Sequence, residues 1–185
     1  MSAEQRVQDR KNMERDTLIK EVSIPIEMID IARKKADEMG TLRNSITKGD
    51  GNIFGFLGEL IVAKYLGIKV DNTYDFDMKL HNGKKIDVKT KATSVKPKLN
   101  YECSIAAYNI KQVCDFYVFS RVHKNMNTGW VLGYMPKKAY LDTATQLKKG
   151  DYDPSNNFTV KADCYNLEIE KLYDIDYLKV LDTTD

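Results

Sequence analysis

A chain of 185 residues, 42% of them apolar, is long enough for one domain with a buried core and short for two. Its 29 Lys and Arg residues nearly balance its 27 Asp and Glu residues, which leaves a formal charge of +2. This balance excludes a strong overall basic field, so any nucleic-acid binding has to come from a local patch.

The first residues, "MSAEQRVQDRKNMERD", are polar and predict an N-terminal arm or helix over residues 1–22, followed by a single domain over 23–185. No apolar run resembles a signal peptide, and no window contains the roughly 18 apolar residues that a membrane span needs. The chain has three cysteines without CxxC spacing and two histidines far apart in sequence. This pattern argues against a structural zinc site. We therefore expect free thiols in a cytoplasmic protein that makes no membrane contact.

The first predicted helix lies in "PIEMIDIARKKADEMG", beginning at Pro25 and ending at Gly40. A polar loop rich in Gly, Asn and Asp follows, and it contains Arg43 and Lys48.

The second predicted helix, "NIFGFLGELIVAKYLG", ends at Gly67 and is apolar almost all round, which is typical of a buried helix. Glu59 is the single acidic residue of this segment. Gly55 and Gly58 share its helical stripe, and each glycine costs about 1 kcal/mol of helix propensity relative to alanine. That cost predicts another element packed closely against the helix backbone.

A β-hairpin is predicted in "TYDFDMKLHNGKKIDVKTK", with strands at about residues 74–80 and 85–91. Asn82-Gly83 is a strong turn signal, and apolar and polar residues alternate on both sides of it. Successive side chains of a strand point to opposite faces. Each strand therefore presents charged residues on one face: Asp75 and Asp77 on the first, and Asp87, Lys89 and Lys91 on the second.

The hairpin register decides whether these charges meet, and two registers are open. A two-residue turn sets Asp87 opposite Met78. A three-residue loop with a bulge sets Asp87 opposite Lys79 and gathers Asp77, Asp87 and Lys89 on one face.

Downstream of the hairpin, "VKPKLN" is a basic loop and "YECSIAAYNIKQVC" predicts a strand that runs into a short helix. "DFYVFSRV" and "GWVLGYM" predict core strands, and a short helix follows Pro136. The C-terminal segment is mixed, and no repeat or linker divides the chain.

The hairpin carboxylates indicate a hard divalent cation. Two carboxylates a few ångströms apart repel each other unless a cation lies between them, and oxygen ligands without His or Cys suit Mg²⁺ or Mn²⁺. Such an ion polarises a phosphate and lowers the pKa of a bound water. Lys89, two residues beyond Asp87, is positioned to orient that water or to stabilise charge on the phosphate. The pattern suits hydrolysis of a phosphodiester.

The helix "GELIVAKYLG" followed by "YDFDMKLHNGKKIDVKTK" resembles the core of the PD-(D/E)xK nuclease superfamily, over about residues 50–135. The resemblance implies an α/β restriction-endonuclease-like fold, with a mixed central β-sheet flanked by α-helices in an αβββαβ core. It also implies a metal-dependent endodeoxyribonuclease, similar to small phage nucleases or Holliday junction resolvases, that uses Mg²⁺ with Mn²⁺ as a substitute.

The resemblance also implies roles for individual residues. By position, Glu59 matches the acid of the first core helix and Asp77 the acid of the hairpin. Asp87 and Lys89 match the (D/E)-x-K pair, and the carbonyl of Val88 matches a backbone metal ligand.

The chain departs from the family pattern in that no proline precedes the hairpin acid. Asp75 therefore competes with Asp77 for that role, and the apolar Met78 after Asp77 favours Asp77. Gln112 matches a polar residue that some members carry after the core hairpin.

A rim of cations predicted to contact phosphates consists of Arg43, Lys48, Lys91, Lys96 and Lys98, although each fits an ordinary surface residue equally well. The expected partner is DNA. The near-neutral charge favours branched or nicked DNA, or a homodimer, over indiscriminate duplex binding. The resemblance also fits a phage-encoded protein that acts in the cytoplasm of its host. The alternatives are an inactive nucleic-acid-binding or protein-interaction module of the same fold, in which the hairpin charges form a solvated sheet face.

Overall fold

The computed structural model of the chain describes Gln5 and residues 17–39, 50–71 and 73–183. In this part of the chain the elements are, in order, β1 (Lys20–Ser23), α1 (Ile26–Met39), α2 (Asp50–Leu66), β2 (Met78–Lys79), β3 (Lys85–Thr93), β4 (Glu102–Ala106), a 3-10 helix (Ala107–Lys111), β5 (Phe116–His123), β6 (Thr128–Pro136), α3 (Lys137–Thr143), β7 (Thr145–Leu147), β8 (Tyr152–Asp153), β9 (Phe158–Thr159), β10 (Cys164–Glu168), a second 3-10 helix (Ile169–Lys171) and α4 (Asp176–Thr183).

The main sheet is mixed and has the strand order β1-β6-β5-β3-β2. Strands β3 and β5 are parallel, and the other neighbouring pairs are antiparallel. A smaller antiparallel sheet has the order β4-β10-β7, and β8 pairs with β9. The predicted mixed α/β class, with a mixed sheet flanked by helices, is confirmed.

One core lies between the main sheet and helix α2. Leu57, Ile61 and Val62 of α2 are fully buried and belong to the same cluster as Ile86 of β3 and Val118 of β5. Full burial of each such side chain is worth about 1.5–3 kcal/mol. These contacts fix α2 across the two parallel strands.

The predicted close approach to the helix is confirmed at Gly58 and wrong at Gly55. A Cβ atom at Gly58 would lie 1.8 Å from Oγ1 of Thr90 and 2.7 Å from Oγ of Ser120. A Cβ atom at Gly55 would have no heavy atom of the described residues within 4 Å, apart from its chain neighbours and the backbone of its own helix. Gly58 therefore lets the backbone of α2 approach β3 and β5 more closely than any other residue would allow.

A second core lies between the main sheet and the small sheet. It contains Tyr117 and Phe119 of β5, Leu132 of β6 and Tyr140 of α3. The hydroxyl of Tyr140 donates hydrogen bonds to the carbonyls of Cys103 and Tyr165, at 3.0 and 2.8 Å. The small sheet thereby covers the face of β5 that α2 leaves open.

The hairpin has neither of the two predicted registers. Met78 pairs with Ile86 and Lys79 with Lys85, and the N–H of Leu80 donates to the carbonyl of Lys84, which leaves a three-residue loop that ends at Gly83 with φ +87°. Because Met78 and Lys79 have these other partners, both predicted partners of Asp87 are wrong.

The tip of the hairpin is anchored from outside, which a local turn rule cannot anticipate. Both the backbone N–H and Nδ1 of His81 contact the carboxylate of Asp182, and Asn82 Nδ2 donates to the carbonyl of Leu181 at 2.9 Å. Helix α4 therefore holds the loop. The first hairpin strand is also shorter than predicted, because β2 includes only Met78 and Lys79.

Two further predictions differ from the structure. The crossover from β3 to β5 contains β4 followed by a 3-10 helix, which confirms the strand and short helix predicted for this segment, although the helix is 3-10 where the αβββαβ order has an α-helix. This segment contains Pro97 and the alternating stretch Tyr101–Ala106, which favours a strand, and β4 pairs with β10 instead. The boundary predicted between residues 22 and 23 falls inside β1, which pairs with β6.

Among the described helices, none combines the length and apolarity that crossing a membrane requires.

Candidate active site

Asp77 lies just before β2 and is folded onto β3. Its backbone N–H donates to the carbonyl of Ile86 at 2.9 Å, and its Oδ2 accepts the N–H of Val88 at 2.6 Å. The carboxyl group of Asp87 lies close enough to Asp77 to raise its pKa. Asp87 itself is only 2% exposed. The hairpin register therefore brings together two carboxyl groups that are ten positions apart in the chain.

Lys89 completes this pair from the next position on the same face of β3. Its Nζ lies 2.6 Å from Oδ2 of Asp87 and donates to Oε1 of Gln112 at 2.9 Å. It also lies 5.9 Å from the centre of the Tyr117 ring. Within the described residues, Oδ2 of Asp87 accepts no hydrogen bond of good geometry. The ion pair with Lys89 is therefore what stabilises this buried carboxylate oxygen.

Glu59 approaches the cluster from helix α2. The contact of the neighbouring Gly58 with β3 and β5 carries Glu59 towards the acids. Burial raises the pKa of Glu59 to about 7, Asp87 adds to this rise, and Lys35 and Lys89 oppose it. Glu59 therefore interacts electrostatically with both members of the Asp-x-Lys pair.

Two acids of the cluster, Glu59 and Asp77, have raised pKa values. Burial raises the pKa of Asp77 to about 8, and the charges of Glu59 and Asp87 raise it further against the hydrogen bond from Val88. Strongly raised carboxyl pKa values, caused by burial together with like charges, are typical of functional sites.

The chemistry of the donor set fits a hard divalent cation. Glu59, Asp77 and Asp87 offer carboxylate oxygens, which Mg²⁺ and Mn²⁺ prefer, and a cation between them would offset the mutual repulsion of their charges. Among the described residues, no three His, Cys, Asp or Glu side chains are spaced as a ready-made metal-ligand group. The fit therefore rests on the Asp77–Asp87 pair and on the enclosed Oδ2 of Asp87.

Gln112 lies at the site, as the resemblance implied. Besides accepting from Lys89, it donates through Nε2 to the carbonyl of Tyr74 at 3.3 Å. It thus connects the lysine to the loop before β2. Asp75 lies half-buried in that loop, and the contact with Val88 and the interactions with the other acids are made by Asp77.

The predicted cationic rim is only partly near the acids. Lys91 lines a cavity of about 250 Å³ together with Lys89. Lys96 and Lys98 line a different depression, of about 610 Å³, next to Glu170. Arg43 and Lys48 lie outside the described residues.

Sequence reasoning missed Arg121, which lines the same cavity as Lys89 and Lys91. The available signal was a single arginine in "DFYVFSRV", a segment that otherwise reads as a core strand. Its proximity to Lys91 depends on the parallel pairing of β3 with β5, which local patterns do not reveal.

Comparison with known proteins adds no assignment: neither a scan against models of known families nor a search of curated proteins returns a match for this chain. Function is therefore argued from the site itself.

Proposed function

We propose that the protein is a metal-dependent deoxyribonuclease of the PD-(D/E)xK type, with a restriction-endonuclease-like fold. The observation that carries the proposal is the meeting of Glu59 from a helix, Asp77 from the start of a hairpin, and Asp87 and Lys89 from one strand. Acid clusters that form by chance on a surface are solvated, whereas this one is largely buried and has strongly raised pKa values.

The surroundings of the cluster support the same proposal. The acids lie on a mixed sheet, next to a helix that packs directly over the Asp-x-Lys strand. Gln112, which follows the core hairpin in the chain, accepts a hydrogen bond from Lys89 at 2.9 Å. The β3–β5 crossover, with a strand and a 3-10 helix, would be a variation on the family core.

In the proposed site Asp77 and Asp87 would hold Mg²⁺, and Glu59 would bind a second ion or a metal-bound water. The carbonyl of Val88 is the proposed backbone ligand, and Mn²⁺ is expected to substitute. A bound ion of this kind neutralises charge on the phosphate and makes a nearby water more acidic.

Lys89 has the role of stabilising the negative charge that develops on the scissile phosphate. Its ammonium is held between Asp87 and Gln112, so no rearrangement of a long side chain has to accompany the reaction. A charge preoriented in this way acts strongly in a partly buried site. The carboxyl groups must lose their protons before they bind a cation, so cation binding competes with protons.

The proposed substrate is DNA, with branched or nicked forms favoured and a homodimer as the proposed acting species, because the near-neutral net charge argues against indiscriminate duplex binding. The proposed compartment is the cytoplasm, including that of a phage host, and the three free cysteines are consistent with a reducing environment.

The test is cleavage of supercoiled plasmid, a four-way junction and single-stranded DNA in Mg²⁺, Mn²⁺ or EDTA. We expect metal-dependent cleavage by the wild type and a loss of about 10²–10³-fold in Lys89→Ala. The matched control is Lys138→Ala, an exposed lysine of α3 paired with Asp142, which should cleave like the wild type. Cleavage that survives in Lys89→Ala would contradict the proposed role of the lysine. Binding of DNA without cleavage of any substrate would support an inactive binding module.

A further inference from the structure

A second pair of charged side chains lies immediately beyond the acid cluster. Lys91 of β3 stands directly opposite Arg121 of β5 in the parallel register, one alternation beyond Lys89. Both line the cavity of about 250 Å³ that also reaches Lys89, bounded by β3, β4 and β5.

Arg121 is a buried cation with few protein partners. It is 7% exposed, its Nη2 donates to the carbonyl of Glu102 at 3.1 Å, and its guanidinium lies 5.1 Å from the centre of the Tyr101 ring. A guanidinium has five N–H donors, so this single hydrogen bond leaves most of its capacity unused.

The carboxylates of Glu102 and Asp153 raise the pKa of Lys91 without forming an ion pair with it. Among the ion pairs of the described residues, none includes Arg121 or Lys91. Burial lowers the pKa of both groups, and the charge of Arg121 lowers that of Lys91 further. Two like charges in one cavity are unfavourable unless an anion joins them.

The one carboxylate among the described residues that line this cavity is already engaged. Glu102 Oε2 accepts hydrogen bonds from Nδ2 of Asn156 and of Asn166, at 2.5 and 3.1 Å. The cavity lining also includes Ser104 and Asn109, which can donate hydrogen bonds. The cavity thus combines excess positive charge with neutral donors.

We propose that Lys91 and Arg121 bind the phosphate group next to the scissile phosphate on the cleaved strand. This inference rests on the proposed nuclease function for the identity of the anion, but the anion site itself is carried by the burial of Arg121 and by its position opposite Lys91 in one cavity. Lys89 and Lys91 are two residues apart in an extended strand, about 6.6 Å along its axis. Neighbouring phosphates of an extended nucleic-acid strand are separated by a similar distance. The forked guanidinium of Arg121 matches phosphate oxygens, and Lys91 adds a point charge.

The first experiment tests the anion site without any cleavage. Thermal unfolding of the metal-free protein is followed while inorganic phosphate replaces chloride at constant ionic strength. We expect phosphate to raise the Tm of the wild type, with an apparent Kd about tenfold or more weaker in Lys91→Gln. Lys91→Gln is the main variant because Lys91 is exposed, whereas Arg121→Gln changes a buried residue. Lys149→Gln, outside the cavity, is the control and should behave like the wild type. Equal stabilisation of wild type and Lys91→Gln, or none of either, would overturn the proposal.

The second experiment identifies the source of the phosphate. Oligonucleotides that carry one neutral methylphosphonate linkage at successive positions are bound to the Lys89→Ala variant in EDTA. The proposal predicts a loss of affinity at one linkage, absent when Lys91→Gln is added to that variant. Oligonucleotides with 5′-phosphate and 5′-hydroxyl ends test the other source, and an effect confined to the terminal phosphate would overturn the assignment to an internal linkage. Because both experiments measure binding, a failure of the nuclease proposal and a failure of this one are distinguishable.

Discussion

Two lysines on the same face of β3, Lys89 and Lys91, lie in different electrostatic surroundings. At Lys89 the ammonium is neutralised by Asp87 and held by Gln112, whereas at Lys91, two residues later, the neighbour across the strand is Arg121. The same residue type on the same face therefore belongs to a carboxylate-rich site at one end and to a cation-rich cavity at the other. The difference teaches that alternation along β3 supplies the counter-charge of Lys89, whereas the cross-strand neighbour sets the surroundings of Lys91.

The largest effect is expected from breaking the carboxylate end. Asp87→Asn removes one proposed ligand and the counter-charge of Lys89, and we expect metal-dependent plasmid cleavage to fall by about 10²–10³-fold. Asp142→Asn, which changes an exposed acid of α3, should leave the rate unchanged. Wild-type cleavage in Asp87→Asn would show that the acid cluster is not the reaction centre.

The position of Glu59 can be tested through the two glycines of α2. Gly58→Ala is expected to destabilise the protein by about 1–3 kcal/mol, because a Cβ there would overlap Thr90. Gly55→Ala is expected to be neutral or to stabilise the helix by up to about 1 kcal/mol, because the new Cβ would contact no described residue outside its own helix. Urea unfolding of both variants measures the difference, and equal effects would contradict the close packing of α2 on β3.

The pair of cations, Lys91 and Arg121, can be converted into an ion pair by one substitution. Lys91→Glu places a carboxylate opposite Arg121, and we expect a Tm gain of a few degrees, since about 1 kcal/mol shifts the Tm of a domain this size by about 2–4 °C. The same change should weaken oligonucleotide binding about tenfold, because it adds a negative charge where a phosphate is proposed to bind. A lower Tm with unchanged binding would contradict the contrast between the two ends.

The smallest effect concerns the pH dependence of the metal-free protein. In the folded protein the pKa of Glu59 is raised from 4.5 to about 7, and the pKa of Asp77 from 3.8 to about 8. Both acids therefore bind protons more tightly in the folded state than in the unfolded state. Their contribution to stability is therefore fully present below pH about 4 and is lost as pH rises through about 7 to 8. In EDTA we expect the Tm to fall by a few degrees between pH 5 and about 8, and less so in Asp77→Asn. A Tm that rises over this interval in the wild type, with no change in Asp77→Asn, would contradict the raised pKa values.

The sequence predicted the acid cluster because its members lie in patterns that local rules recognise. Asn82-Gly83 indicates a turn, alternation orders the side chains of β3, and Glu59 is a single acid in an apolar helix. The two predicted registers differ from the observed one by one and by two residues, and helix α4 contacts the loop through Asp182, about a hundred positions away, which local rules do not take into account.

The cation-rich cavity was beyond local patterns. Arg121 reaches Lys91 only through the parallel pairing of β3 with β5, and β4 closes the cavity only because it pairs with β10 in a separate sheet. Both are long-range pairings, which hydrophobic periodicity does not specify.

The most direct test of the contrast is a set of separate calorimetric titrations with Mn²⁺ and with inorganic phosphate, using the wild type, Asp87→Asn and Lys91→Gln. The account predicts that Asp87→Asn loses Mn²⁺ binding and keeps phosphate binding, whereas Lys91→Gln does the reverse. Loss of both ligands in one variant, or retention of both in the two variants, would contradict the assignment of a cation site and an anion site to the two ends of β3.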